Sequence, residues 1–543
     1  MATSSVAVAL AAADTYVVVL ALPDMMAGVG LGLDALQKAT PIISGFLLGY
    51  IAVLPLIGRL SDLVARQRIL IFCLSLFVLG SAITAVSVEL PVLVGGRVLQ
   101  GIGGGGLVPA TLALVADLWP PDRRGTPLGV VGAVQELGSV LGPLLGAAVL
   151  AVAGWRAIFW LNVILGVVLA MVLVLTGGRE ARLQLRVLPT VLGLMAVAAG
   201  FLALVAPTSL ANDVTLGIPF IPFAGTGRLA TPLGVVTLAL FLSTLAAARG
   251  SLLDLLRRVD LVGALCVAVA LGSLVLTFAS ADPEREVVGP WGWALVPLGV
   301  VALLGYIWRH RTARNPLVPR GLMATGATGG RSRVVPVLLV SLLVGVTLVA
   351  IVVDVPILAR LTVTGSQTTA ALVLVRFLVA VPLGAFVGGW SMRWRGPASV
   401  AASGLALAGI ALVAMSGWGL ASLQSWSATP VLVAAGLGLG LALAPLNAAA
   451  LASAPADAHG VVSSLVVLGR MVGMVVGLAL LTGIGLHRYY GAVAALPNQQ
   501  DVAALSAAGV VQVQTVFLGG AVAAFIAACV ALALSGPRSH GRT

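Results

Sequence analysis

The chain has 543 residues, 60% of them hydrophobic and 9% charged, with a net charge of +12, a pI near 11 and a mean hydropathy of +1.13. A soluble domain carries about 25% charged residues, so a soluble enzyme, a disordered chain and a secreted disulfide scaffold are all excluded. Cys73, Cys266 and Cys529 stand singly in apolar runs without metal-ligand spacing, so neither a metal nor a disulfide is expected.

Sixteen apolar runs follow in chain order: 6–22, 41–57, 69–88, 91–116, 128–152, 157–175, 188–206, 232–247, 261–278, 291–308, 334–353, 369–387, 397–415, 430–450, 461–484 and 516–534. Most approach the ~20 residues a helix needs to cross the hydrocarbon. The predicted class is an all-α polytopic membrane protein. No basic stretch precedes the first run, which reads as a span and not as a removed signal peptide. With both termini placed in the cytoplasm, 21 basic residues fall in inward loops and the tail, six fall outward, and Arg97, Arg376 and Arg470 lie within spans. That bias obeys the positive-inside rule and accounts for the pI without nucleic acid. Trp119, Trp155, Trp291, Trp308, Trp390 and Trp394 stand at span ends, where indole rings favour the interface. The outward loops 208–231 and 487–512 are the longest on their side.

After the second run comes Gly58-Arg59-Leu60-Ser61-Asp62-Leu63-Val64-Ala65-Arg66-Gln67-Arg68. One carboxylate among cations in a tight turn can lock helix ends and release them on a change of state. The fourth run holds Arg97-Val98-Leu99-Gln100-Gly101 and the glycines Gly103 to Gly106. A buried arginine is costly in lipid and must face partners or a wet cavity. The fifth run carries Gly129, Gly138, Gly142, Pro143 and Gly146, a spacing that makes a smooth helix face with a bend at the proline.

In this order the three motifs resemble the major facilitator superfamily. Gly58, Asp62 and Arg66 match its cytoplasmic gate motif. Arg97, Gln100 and Gly101 match its fourth-span motif. Gly129, Gly138, Gly142, Pro143 and Gly146 match the antiporter motif of its exporters. Asp14-Thr15, Ala21-Leu22-Pro23 and Trp155-Arg156-Ala157-Ile158-Phe159-Trp160-Leu161-Asn162 are similar to the fourteen-span drug:proton antiporter branch. Asp14–Val19, Leu48–Ala52, Gln135–Leu144 and the Gly436–Leu441 run are similar to the mycobacterial triacylglyceride exporters that work with the lipoprotein LprG. Departures are Ala65 and Gln67 in the loop motif, Ala147 in the antiporter motif, and Arg393, between Gly389 and Gly396, where an acid would stand. The resemblance implies two six-helix bundles, at 1–178 and 333–543. Between them would lie an inserted hairpin (179–258) and a linker pair with its cytoplasmic loop (259–332), starting at Val259-Asp260-Leu261-Val262-Gly263.

Three acids fall within or beside spans: Asp14, Glu136 and Asp354. An uncompensated charge at mid-bilayer costs at least ~2.5 kcal/mol, so each should pair or face a cavity. Asp14 and Glu136 are the expected proton-exchanging acids, with Arg470 pairing whichever is ionised. Asp354 and Arg376 are candidates for an outer gate or the cavity. A cavity otherwise lined by Ala, Gly, Leu and Val suits a lipid or another hydrophobic small molecule. The expected function is a proton-coupled exporter of hydrophobic substrates in the bacterial inner membrane, working by alternating access. It would use the proton gradient with no cofactor, and an extracytoplasmic lipoprotein would be its acceptor. A polyspecific drug efflux pump differs only in substrate. A passive lipid scramblase or lipoprotein-docking scaffold would need no proton site. A membrane enzyme is disfavoured because no nucleophile–base cluster stands within the spans.

Overall fold

Each apolar run forms a helix in the computed structural model. It describes residues 1–32, 36–177, 187–211, 213, 217–223, 227–279, 292–323, 333–362, 367–497 and 501–534. The long helices are α1 (Ala2–Gly28), α2 (Leu36–Leu63), α3 (Arg66–Val86), α4 (Leu90–Leu118), α5 (Gly125–Val152), α6 (Arg156–Thr176), α7 (Val187–Val205) and α8 (Pro232–Arg258). They continue as α9 (Leu261–Ala279), α10 (Gly292–Thr312), α11 (Val334–Thr362), α12 (Gln367–Ser391), α13 (Pro397–Ser416), α14 (Ala428–Ser453), α15 (His459–Ala494) and α16 (Val502–Leu532). Among the described residues fourteen helices are long and apolar enough to cross a membrane. The first helix makes fifteen if Ala2–Val18 and Leu20–Gly28 count as one bent span, and Leu261–Thr277 is a shorter apolar helix. Of the basic residues assigned to loops and tail, Arg179, Arg182, Arg186, Arg285, Arg331, Arg538 and Arg542 lie outside the described residues, as does Trp291.

Helices α1–α6 pack into one bundle and α11–α16 into another. Without a hydrophobic drive between helices in lipid, close packing of small residues holds such bundles. Accordingly, α4 is clamped on two sides. A Cβ on Gly101 would strike the Phe46 backbone of α2, and one on Gly103 would strike Phe77 of α3. The second bundle repeats the device where Gly440 meets Val381 and Gly473 meets Leu342. The bundles meet along α2–α15 and α5–α12.

The four intervening helices form two pairs. Helix α7 packs on α8 through Gly193 against Thr244 and Gly200 against Thr237. Helix α9 packs on α10 and leans on α2. Arg309 Nε donates to Asp260 Oδ1 at 2.9 Å, and that same oxygen accepts from the Gly263 N–H at 3.0 Å, starting α9. No residue of the most apolar stretch of Pro232–Gly250 is fully buried, as expected of a helix facing lipid.

One loop assignment is corrected. Much of 487–512 is helical, because α15 runs to Ala494 and α16 starts at Val502. Asp501 caps α16 by accepting from the Ala503 N–H at 2.9 Å. The stretch is rich in alanine, which favours helix where hydropathy has already fallen.

Candidate functional site

Two acid–arginine pairs sit at different places in the bundles. The first lies wholly inside the α1–α6 bundle. Glycines position it: Gly138 and Gly142 of α5 lie directly on the Ala9 and Ala13 backbones of α1, and Gly146 lies on Val17. This close seam carries Asp14 into the bundle interior, where it is 1% exposed. Arg97 Nη1 donates to Asp14 Oδ2 at 2.5 Å and to Gln100 Oε1 at 2.6 Å. Asp14 Oδ1 accepts from Asn162 Nδ2 at 2.6 Å and from Gln100 Nε2 at 2.9 Å. Gln100 Nε2 also donates to Ser81 Oγ at 2.8 Å, and Arg97 Nε donates to the Ile42 carbonyl at 3.3 Å. The guanidinium lies 4.5 Å from the Phe46 ring centroid. Helices α1, α2, α3, α4 and α6 thus meet through one satisfied polar network, the condition under which buried charge is tolerated.

The second pair crosses between the bundles. Arg470 Nη1 of α15 stands 3.5 Å from Glu136 Oε1 of α5. Gly345 of α11 lies against the Arg470 carbonyl and lets α15 approach closely. The two side chains are 12% and 14% exposed. They line a narrow cavity of about 80 Å³ together with Thr15, Tyr16, Phe46, Tyr50, Ser139, Leu348, Met471 and Met474. Most of the surface of this wall is apolar, while Thr15, Tyr16, Tyr50, Gln135 and Ser139 set polar groups beside the ion pair.

Sequence reasoning expected Arg470 to serve both acids. The structure divides them, because Asp14's oxygens are taken by Arg97, Gln100 and Asn162 and the acid facing Arg470 is Glu136.

The loop after α2 forms a third site. Asp62 Oδ1 accepts from the Gly460 N–H at 2.7 Å, and Oδ2 accepts from the Val461 N–H at 3.0 Å. These are unpaired donors at the start of α15, where a carboxylate meets the positive end of the helix dipole. Arg66 Nη1 holds Asp62 at 2.9 Å and Arg66 Nε holds Asp117 at 3.2 Å. Gly58 lies directly against Gly460 and Ser464, so any side chain there would push the bundles apart. At the related contact, Gly129 and Gly125 of α5 lie on Gly389 of α12. Arg393 makes no such clip and sits 4.3 Å from each of the Trp390 and Trp394 ring centroids. The antiporter motif therefore divides: Gly129 faces the other bundle, while Gly138, Gly142 and Gly146 face α1, with Pro143 inside the helix.

Asp354 is 2% exposed within α11, and no hydrogen-bond partner is found for it among the described residues. Exposed Arg376 Nη1 donates to Thr429 Oγ1 at 3.0 Å, tying α12 to α14. Neither residue joins the two acid–arginine pairs. Among the described residues no group of three His, Cys, Asp or Glu is placed to hold a metal. Sequence reasoning missed Ser81, Asn162, Asp117 and the start of α15 as partners. Asn162 carried a signal, as the one amide in the otherwise apolar α6.

Residues 4–286 match the family model of the Major Facilitator Superfamily. A triacylglyceride transporter of Mycobacteroides abscessus is 35% identical over 498 residues, covering 90% of this chain and 82% of the relative. One of Mycobacterium tuberculosis is 32% identical over 572 residues, covering 99% and 94%. Among solved structures, a human organic anion transporter superposes with a TM-score of 0.55 at 14% identity, covering 98% of each chain. The E. coli fucose:proton symporter superposes with 0.52 at 14% identity, covering 99% and 98%. These two likenesses concern the fold. Sixteen long helices among the described residues, packed as two bundles with added pairs, the three motifs at close helix contacts and the relatives agree: the chain is a multi-pass membrane protein belonging to the major facilitator superfamily, a secondary transporter and not an enzyme.

Proposed function

We propose that the chain exports hydrophobic lipids, triacylglycerides in particular, in exchange for protons by alternating access. The observation that carries this reading is the Glu136–Arg470 pair, which bridges the two bundles on the wall of an apolar cavity. A proton entering the cavity neutralises Glu136 and frees Arg470, so the bundles lose one attraction and the equilibrium between their two arrangements shifts. Each proton moving with the membrane potential supplies ~2.3 kcal/mol per 100 mV. Asp14, held by Arg97, Gln100 and Asn162, anchors α1 within its bundle while the bundles rock.

The substrate class rests on the apolar cavity wall and on the names of the relatives. The basic end, which carries Asp62 and both termini, faces the cytoplasm of a bacterial inner membrane. The moving units are the bundles 1–178 and 333–543, with 179–258 and 259–332 as additions between them. The bonds of Asp62 to Gly460 and Val461 close the cytoplasmic end, so this arrangement receives protons and releases lipid outward. An extracytoplasmic lipoprotein is the acceptor that a poorly soluble product requires.

The test is movement of a fluorescent triacylglyceride by the purified protein in liposomes, with and without an imposed proton gradient. Gradient-driven export by wild type should fall about tenfold or more in Glu136→Gln, while exchange without a gradient persists. Equal movement with and without the gradient would show a facilitator or scramblase. Efflux of ethidium that triacylglyceride fails to inhibit would show a drug pump.

A further inference from the structure

The Glu136–Arg470 pair has a second cavity beside it. A small chamber of about 20 Å³ lies between α4, α5, α11, α14 and α15, and its polar lining is Gln135, Glu136, Ser341, Asn447 and Arg470. Ser341 is committed, because its Oγ donates to the Val466 carbonyl at 2.7 Å. Asn447 is fixed at one end only. Its Nδ2 donates to the Leu443 carbonyl at 3.1 Å, one turn back on α14. Its Oδ1 is buried without a hydrogen-bond partner. An orphaned amide oxygen in a buried site is costly, and this one stands in the same chamber as a guanidinium with several donors.

We propose that Asn447 is a positioning residue that receives Arg470 when Glu136 is protonated. This rests on the reading of Glu136 as the proton-exchanging acid. In the ionised state Arg470 faces Glu136 at 3.5 Å, a length that leaves the contact loose. On protonation the carboxyl becomes neutral while Arg470 keeps its charge. The guanidinium then swings into the chamber, and one of its N–H groups donates to Asn447 Oδ1. The charge stays solvated by protein and the orphaned acceptor is satisfied, so protonating Glu136 becomes easier. The other titratable side chains near the pair are Tyr16 on α1 and Tyr50 on α2. The residues that α4, α11, α12 and α14 present to these cavities carry no charge.

The test reads the pH midpoint of bundle movement, which needs no substrate. Spin labels are placed at Val152, the exposed last residue of α5, and at Trp426, exposed just before α14, in a background with Cys73, Cys266 and Cys529 replaced. Their separation is followed from pH 5 to 9 in liposomes. Asn447→Leu removes the alternate acceptor, so the midpoint should fall by about one pH unit or more. Asn447→Asp offers a stronger acceptor, so the midpoint should rise by a similar amount. The fall in Asn447→Leu is the discriminating result, because an apolar side chain with a purely structural role would leave the midpoint unchanged or raise it. Wild-type midpoints in both variants, with the transition abolished in Glu136→Gln, overturn the role of Asn447 and leave Glu136 standing. A transition that survives in Glu136→Gln, or is missing in wild type, overturns the proton reading and this inference with it.

Discussion

In the proposed mechanism Asp14–Arg97 and Glu136–Arg470 use the same two kinds of charge for opposite mechanical ends. Asp14 sits inside one bundle, 1% exposed, with three donors from three side chains on its carboxylate. Glu136 faces Arg470 across the seam of two bundles at 3.5 Å, with both side chains above 10% exposure and a cavity on either side. A network satisfied within one rigid unit cannot respond to bundle movement without unfolding part of that unit. A single loose contact between units can. Location and the number of partners, more than residue type, divide an anchor from a switch.

The largest test of this contrast is to break the anchor. Arg97→Leu leaves Asp14 charged and buried without its cation, and should cost about 3–5 kcal/mol of stability. Thermal unfolding in detergent should show a lower midpoint and a poorer yield. Glu136→Gln should cost clearly less by the same assay, because its contact is longer and makes fewer bonds than the Asp14 network. Equal losses would erase the distinction. Next comes the clip at the start of α15. Asp62→Asn removes a carboxylate from a helix N-terminus in a partly buried setting, worth up to ~2 kcal/mol. The equilibrium should move toward opening at that end by about tenfold or more, read as faster labelling of a cysteine placed at Ser464. Gly389→Ala acts at the related seam by pushing against Gly125 and Gly129, and should open the same end less. The smallest effect is expected for Arg376→Ala. Its bond to Thr429 is exposed, and stability should stay within about 0.5 kcal/mol of wild type.

Much of this was legible from the residues. The apolar runs marked every long helix, because a segment in lipid must satisfy its own backbone and leaves a continuous apolar signature. The ends were less legible. Helices α15 and α16 run on through 485–494 and 502–515, where helix propensity persists after hydropathy fails. The charged residues of both pairs stood out because charge within a span is rare. Comparable depth pointed to Glu136 with Arg470, but the partner of Asp14 was not legible, since depth along a helix gives no rotation about its axis. Asp14 and Glu136 were therefore both assigned to Arg470, although Arg97 is the partner of Asp14. The backbone donors of Gly460 and Val461 were invisible for a different reason. A helix start acquires its partner only when two segments 398 residues apart are brought together.

The most direct measurement is proton movement itself. An entrapped pH dye reports protons carried during triacylglyceride export by wild type, Glu136→Gln and Asp14→Asn in liposomes. The account predicts that Glu136→Gln carries no protons while Asp14→Asn, whose neutral amide keeps the shape of the anchor, still does. Proton movement lost in Asp14→Asn and retained in Glu136→Gln would contradict it.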